Sequence, residues 1–255
     1  MTAEGTQLEK ILETSSKSKS TVLNLSHRSM KIIPAQISTL DHVQVLLLNN
    51  NSIIMPPEEI THLKNLVHLS LECNQLTLLP SDLHKLSTTL TFLNLSHNPL
   101  TFLPPYVSKM VNLKELWLED IGLSSLPNEF LTLIQLQRLS LKGNDLFEIN
   151  TDTLNRLSNL QWLSLAKNQL QSIDTLHLKS LTVLSLAENQ FISFASALPF
   201  KCTALEYVDL HQNKISSLLP EDITALSHSC LSKIDLRNNV IIDNSSLLSL
   251  KVIIL

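Results

Sequence analysis

The hydrophobic positions of this chain repeat with a spacing of 21 to 26 residues. Residues 160–173, LQWLSLAKNQLQSI, carry leucine or isoleucine at positions one, four, six, eleven and fourteen of the pattern LxxLxLxxNxLxxL. A leucine pattern with this period indicates a stack of similar units, a solenoid. The fourth position recurs ten times, at Leu23, Leu46, Leu69, Leu93, Leu116, Leu139, Leu163, Leu184, Val208 and Ile234.

Each copy predicts one short strand and one return segment. Positions four and six alternate with polar neighbours, as in a strand that buries one face, and so short a strand needs a stacked neighbour to cover its leucines. Parallel stacking requires a crossover, which is right-handed almost without exception. The segment from Pro80 to Leu90 places Leu83 and Leu86 three residues apart, which predicts an inward-facing helical turn. The expected fold class is therefore α/β: a leucine-rich solenoid, curved because the helical side is bulkier, with a parallel sheet on its concave face.

Asparagine occupies the ninth position of eight copies. An asparagine pointing inward at the end of a strand can donate to and accept from backbone groups that would otherwise be buried without partners. Two copies carry Arg28 or Ile121 instead; the first is an end copy, whereas around Ile121 the loop groups are expected to need water or another partner. The predicted ladder consists of Asn51, Asn74, Asn98, Asn144, Asn168, Asn189, Asn213 and Asn239.

The unbroken period predicts a single array over residues 20–255, preceded by a cap over residues 1–19. Within the cap, residues 6–14 are predicted to be helical, because Thr6 and Glu9 have the spacing of a capping box and Leu8, Ile11 and Leu12 share one face. Residues 15–20, SSKSKS, are predicted to form a polar connector.

The last residues imitate the start of a partial eleventh copy. Leu250, Ile253 and Leu255 have the spacing of positions one, four and six. Two interpretations are open: a truncated array, which we favour, or an exposed edge for a partner strand.

This repeat resembles the leucine-rich repeat family from about residue 20 onward, and the short helix followed by VLNLSHRSMKIIP is similar to intracellular Ras-suppressor-like members. The resemblance implies a scaffold or adaptor that binds another protein on its concave face. The alternative is a regulatory or targeting subunit of a signalling enzyme, such as a protein phosphatase or a small GTPase pathway component. The spacing of 21 residues between Leu163 and Leu184 is near the period of phosphatase-regulator repeats.

Composition narrows the function classes. A net charge of −4 without long runs of like charge does not indicate binding to nucleic acid or to an anionic membrane. No apolar run is long enough for a membrane-spanning helix. Only three glycines are present, so phosphate-cradling loops are excluded, and no catalytic or metal-binding motif is found. We therefore expect neither enzyme activity nor a cofactor. Three widely spaced cysteines and a start without an apolar segment favour an intracellular, cytoplasmic protein.

The candidate binding residues are those predicted to project from the concave face. Both tryptophans fall there, and tryptophan, tyrosine and arginine dominate interface hot spots. Acidic residues concentrate on the fifth copy and basic residues on the next two, which would orient a partner of matching charge. The alternatives are aromatic packing on an exposed sheet and charges that serve only solubility. The candidates are Phe92, Glu115, Trp117, Glu119, Arg138, Trp162, Lys167 and Tyr207.

Overall fold

Every copy of the motif forms a strand of three residues that starts at the third position. A computed structural model describes residues 3–173, 176–194, 202–216, 230–241 and 253–254, together with positions 219, 222 and 224. Strands β1 to β10 are Val22–Asn24, Val45–Leu47, His68–Ser70, Phe92–Asn94, Glu115–Trp117, Arg138–Ser140, Trp162–Ser164, Val183–Ser185, Tyr207–Asp209 and Lys233–Asp235. Each strand pairs in parallel with the next in the same register, so that position four always lies beside position four.

An eleventh strand completes the sheet, and the strand order follows the chain from β1 to β11. Strand β11 is Ile253–Ile254, and Ile253 pairs with Ile234 of β10. Ile253 thus lies beside the fourth position of the tenth copy, where the pattern places the fourth position of a partial eleventh copy. Leu250 and Leu255, which were predicted to occupy its first and sixth positions, lie outside the described residues.

The core runs along the whole array behind the sheet. In the seventh copy Leu160, Leu163, Leu165 and Leu170 are fully buried, and Ile173 is 1% exposed. Most of the corresponding positions in the described parts of the other copies are also buried, and together they form one continuous hydrophobic cluster. Stacking thus removes from water the leucines that a single copy would leave exposed.

The return segments contain short helical turns, as the spacing of their leucines predicts. In the third copy the turn is the 3-10 helix Ser81–Thr88, which follows Pro80 and buries Leu83 and Leu86. Among the described residues, the other 3-10 helices are Ala35–Thr39, Glu58–His62, Pro105–Lys109 and Asn128–Thr132. A short α-helix, α2 (Thr151–Leu154), takes this place in the sixth copy, where the Asn150 side chain accepts a hydrogen bond from the Thr153 amide.

A longer helix, α1 (Ala3–Ser18), covers the first repeat. Leu12 is buried, and Leu8 and Ile11 pack against the core, as their shared face predicts. The predicted limits are wrong at both ends: position 6 lies inside the helix and is not its cap, and the expected connector is helical as far as Ser18. Ser15 lies one turn after Ile11 and Leu12 on the same face, where its carbonyl oxygen is 3.1 Å from Nε2 of His42, the residue just before the second copy. None of the helices in the described part of the chain is both long and apolar enough to cross a membrane.

The eight asparagines at position nine bridge consecutive copies. Asn144 Nδ2 donates to the carbonyl oxygens of Leu118 and Leu141, at 2.8 and 2.9 Å, and Asn144 Oδ1 accepts from the amide of Leu123 at 2.9 Å. The same three bonds recur at each of the other seven asparagines. Each side chain therefore satisfies backbone groups of two copies that water cannot reach.

The bridge is interrupted at Ile121, which is buried where the fifth copy would carry asparagine. The Leu100 amide, which would donate to that asparagine, donates instead to the carbonyl of Asn98 at 2.9 Å. A turn of this kind needs a central residue with φ near −75°, which Pro99 supplies. The expected extra partner is thus a backbone carbonyl of the fourth copy. Thr101, the next residue, has φ +61° and donates its amide to the Ile121 carbonyl.

Position eight has a positive φ in all ten copies. The values lie between 49° and 71°, and nine of the ten residues are not glycine: His27, Asn50, Cys73, His97, Asp120, Lys167, Glu188, Gln212 and Asn238, with Gly143 the tenth. The left-handed conformation turns the chain from strand into loop just before the asparagine. It strains residues that carry a Cβ, and the surrounding hydrogen bonds hold it in place.

Candidate aromatic and arginine site on the concave face

Two rows of side chains form the middle of the concave face. Position-three side chains of β1 to β10 are partly or largely exposed, whereas position four is buried in every strand. At position five, Ser70, Ser140 and Ser164 are small and almost completely covered. Large side chains at position three can therefore lean across these serines.

Trp117, Arg138 and Trp162, from three adjacent strands, form one cluster. The indole rings of Trp117 and Trp162 have centroids 5.3 Å apart and are inclined by 37°. The Arg138 guanidinium carbon lies 5.6 Å from the centroid of each ring. This geometry favours attraction between the rings and between the cation and both π faces. We call these three residues the Trp–Arg cluster.

The cluster is tighter than strand spacing alone predicts. Trp117 and Trp162 belong to strands two apart, about 10 Å at the usual separation, and Arg138 is on the strand between them. The rings instead meet directly, because Trp117 occupies position five and its neighbours in that row are Ser140 and Ser164. Ser140 has no exposed surface although its strand faces the open side, as expected if the indoles cover it.

The acidic and basic candidates lie around the cluster without pairing with Arg138. Glu119 Oε1 accepts a hydrogen bond from Ser140 Oγ at 2.7 Å, which fixes one carboxylate beside the serine row. Glu115 is the register partner of Arg138, yet among the described residues no carboxylate oxygen lies within 4.0 Å of the guanidinium. Lys167 is exposed at the end of β7. Arg138 itself is exposed, so its N–H groups face solvent.

The Trp117 indole nitrogen is the other unpaired donor of the cluster. Its Nε1 atom is shielded from water and has no acceptor among the described residues. Buried N–H groups nearly always have a partner, so this orphan is a local cost of the arrangement.

Phe92 belongs to a separate stack. Its ring lies parallel to the imidazole of His68, with centroids 3.8 Å apart and an angle of 4° between the planes. Burial lowers the pKa of His68, and the carboxylate of Glu115 acts in the opposite direction. The sequence pattern groups Phe92 with the tryptophans, whereas in the structure Phe92 of β4 pairs with His68 of β3.

Tyr207 belongs to a third group, on β9 and β10. The Lys233 ammonium lies 5.2 Å from the centroid of its ring. Beside it, Arg237 binds the carboxylate of Asp235 through two nitrogens, with contacts of 2.6 to 3.1 Å, and this guanidinium holds the pKa of Asp235 below its usual value. His211 Nδ1 is 2.7 Å from Asp209 Oδ1. Val183 separates this group from Trp162, so the aromatic candidates of the concave face divide into three clusters.

The sequence pattern did not single out three partners in these clusters, His68, Lys233 and Arg237. The register of the repeat was sufficient to find them, since each contact joins neighbouring strands or two positions of one strand. In the described part of the chain, no group of three or more histidine, cysteine, aspartate or glutamate side chains is arranged to hold a metal ion. The arrangement offers aromatic surface, a cation and unpaired donors, which suit binding.

Comparison with known proteins identifies the repeat. Models of the leucine-rich repeat match residues 65–86, 88–128, 134–191 and 204–226. The chain is 34% identical over 147 residues to mouse podocan-like protein 1, covering 56% of this chain and 26% of that protein. It is 28% identical over 179 residues to the transforming growth factor beta activator LRRC33 of zebrafish, Danio rerio, covering 65% of this chain and 25% of that protein. The chain thus spans about a quarter of the length of these relatives.

A solved structure agrees with this assignment. Internalin C2 of Listeria monocytogenes superimposes with a TM-score of 0.66 at 26% identity, over 92% of this chain and 90% of the internalin chain. The repeated leucines, the sequential parallel sheet and these matches lead to one conclusion. The chain belongs to the leucine-rich repeat family.

Proposed function

We propose that this protein is a non-catalytic scaffold or adaptor that binds another protein through the concave face of its sheet. Leucine-rich repeat proteins generally mediate protein–protein interaction, and the Trp–Arg cluster is the observation that directs this proposal to one part of the surface. Tryptophan and arginine carry much of the energy of known interfaces. Here they are partly exposed on rigid strands, so little conformational entropy is lost when a partner binds.

The charges around the cluster support the same proposal. Glu115 and Glu119 belong to the fifth copy, and Arg138 and Lys142 hold the same positions in the sixth, so acidic and basic side chains lie side by side. A partner with the complementary order of charges would be steered into one register. The three cysteines are free thiols, which agrees with a reducing, intracellular compartment as the place of action.

The test is a quantitative capture experiment with the full chain. Proteins retained from a cell lysate are compared between wild type, the double variant Trp117→Ala/Trp162→Ala, and the control Lys109→Ala/Glu129→Ala. Both control residues are exposed on the helical side of the array. We expect a specific partner to be lost from the tryptophan variant, each alanine weakening binding by about 2–4 kcal/mol, and to be kept by the control.

Circular dichroism and thermal unfolding establish that each variant is folded. If the folded tryptophan variant keeps every partner that the wild type retains, or if the control loses them, the concave face is not the binding surface.

A further inference from the structure

Arg138 differs from the other charged residues of the concave face in how it is held. Its guanidinium carbon is 5.6 Å from the centroids of two indole rings. A guanidinium that faces aromatic rings still presents its N–H groups in the plane, at its edge, where two can bind one carboxylate together. The guanidinium thus lies beside both rings and can still offer its N–H groups to a ligand.

The chain leaves these donors unpaired in the described structure. Glu119 is engaged by Ser140, and Asp120 lies 3.3 Å from His97 Nδ1. Glu115, across from Arg138 in the register, is beyond ion-pair distance of it. Trp117 Nε1 also lacks an acceptor among the described residues, but it is shielded, so Arg138 is the donor of the cluster that an incoming group can reach. A positively charged ligand group would be repelled here, whereas an acceptor is what the cluster lacks.

The surrounding charges select among anions. In the fifth to seventh copies, positions three, five and seven carry two acidic side chains, Glu115 and Glu119, and two basic ones, Arg138 and Lys142. A doubly charged phosphate at Arg138 would stand beside two carboxylates, whereas a carboxylate brings a single charge. The indole surfaces next to the fork are apolar, so an uncharged, apolar side chain adjacent to that carboxylate would cover them.

We propose that the Trp–Arg cluster selects protein segments in which an aspartate or glutamate is adjacent to an apolar residue, with the carboxylate bound by Arg138. This inference rests on the proposed protein-binding function and adds the chemistry of the partner. Arg138 is then the specificity-determining residue, and the tryptophans position it and contact the neighbouring apolar side chain.

The test begins with random twelve-residue peptides displayed on phage and selected on the immobilised full chain. Clones that also bind Trp117→Ala/Trp162→Ala are removed. We expect the remaining peptides to share an aspartate or glutamate next to an apolar residue. A synthetic peptide from this set, measured by fluorescence polarisation, should bind Arg138→Gln at least about tenfold more weakly than wild type, as expected for the loss of a charged hydrogen-bond partner.

Two further comparisons separate the carboxylate contact from other causes. Replacing the acidic residue of the peptide by its amide should weaken binding to wild type by a similar factor and should leave binding to Arg138→Gln almost unchanged. Glu115→Gln removes a like charge beside the incoming carboxylate and should strengthen binding. Arg138 and Glu115 lie outside the core, so both variants are expected to fold, and urea unfolding verifies this.

The outcomes separate this inference from the proposed function. Peptides that need the tryptophans yet show no acidic preference, or whose carboxylate acts independently of Arg138, would overturn the inference and leave the protein-binding proposal standing. A library from which nothing depends on the tryptophans would overturn both.

Discussion

The indole rings of Trp117 and Trp162 lie in contact, 5.3 Å between centroids, although an entire strand separates their backbones. The contact depends on the small serines of the row beneath the rings. Aromatic pairs of this kind contribute about 0.5–1.5 kcal/mol beyond the area that they bury. The tryptophans are therefore part of the stability of the sheet as well as candidates for binding.

This contact predicts a measurable coupling between the two residues. In a double-mutant cycle of Trp117→Ala and Trp162→Ala, the unfolding free energies should show an interaction of about 0.5–1.5 kcal/mol. The pair Phe92→Ala and Tyr207→Ala serves as the control, because those residues lie in separate clusters and their effects should add. Strict additivity for the two tryptophans would mean that the rings do not touch in solution.

The asparagine ladder predicts an unequal response of two adjacent residues. Asn168 donates to the carbonyls of Leu141 and Leu165 and accepts from the Leu146 amide. Asn168→Ala leaves buried backbone groups without partners and should lower the free energy of unfolding by about 1–3 kcal/mol. Gln169 is the next residue and is exposed, so Gln169→Ala should change the free energy of unfolding by less than about 0.5 kcal/mol. Urea titrations of the two variants provide the comparison, and equal midpoints would contradict the bridging role.

The left-handed row at position eight predicts a penalty for a small substitution. Gly143 has φ +71°, and a Cβ added there would lie 2.1 Å from Asp120 Oδ1. Gly143→Ala should therefore destabilise the fold by about 1–2 kcal/mol through the backbone alone and should also push Asp120 away from His97. The clash with the Asp120 carboxylate is absent when residue 120 is alanine. Gly143→Ala should therefore lower the free energy of unfolding less in the Asp120→Ala background than in the wild type. Thermal unfolding of the four proteins measures this difference.

The stack of His68 on Phe92 predicts a pH dependence of stability. Burial lowers the folded pKa of His68 below its unfolded value of about 6.5. Between the two pKa values the unfolded chain binds more protons, so this histidine makes the fold less stable as the pH falls through 6.5, until the folded pKa is passed. The free energy of unfolding of the wild type, compared with that of His68→Gln, should therefore fall as the pH is lowered from 7.5 to below about 6. A difference that stays constant over this range would exclude a lowered pKa.

The stacked, sequential organisation of the fold follows from sequence because its causes are periodic. The spacing of the leucines determines strand positions, the register and the stacking, and Pro80 with Leu83 and Leu86 determines a helical turn. The pattern ends α1 too early because Ser15 is polar, whereas in the structure Ser15 is buried and its carbonyl oxygen lies 3.1 Å from His42 Nε2. That contact joins residues far apart along the chain, and a local pattern does not reveal it.

The site was only partly predictable for a related reason. The sequence placed Trp117, Arg138 and Trp162 on one face, but which neighbours touch depends on how far each side chain leans across a neighbouring row. Residue type also conceals the left-handed row: Lys167 and Glu188 give no local indication of a positive φ, since the repeat imposes it through hydrogen bonds. Both features become visible once the copies are aligned in register.

Because Ile121 replaces the bridging asparagine, we expect the array to open as two parts. A solenoid behaves as a one-dimensional chain of units in which each interface contributes separately to cooperativity. The interface of the fourth and fifth copies lacks the amide bridge that the eight asparagines provide, so we expect partial opening to begin there. Native-state hydrogen exchange would then reveal two cooperative blocks, with the three residues of the Trp–Arg cluster together in the second.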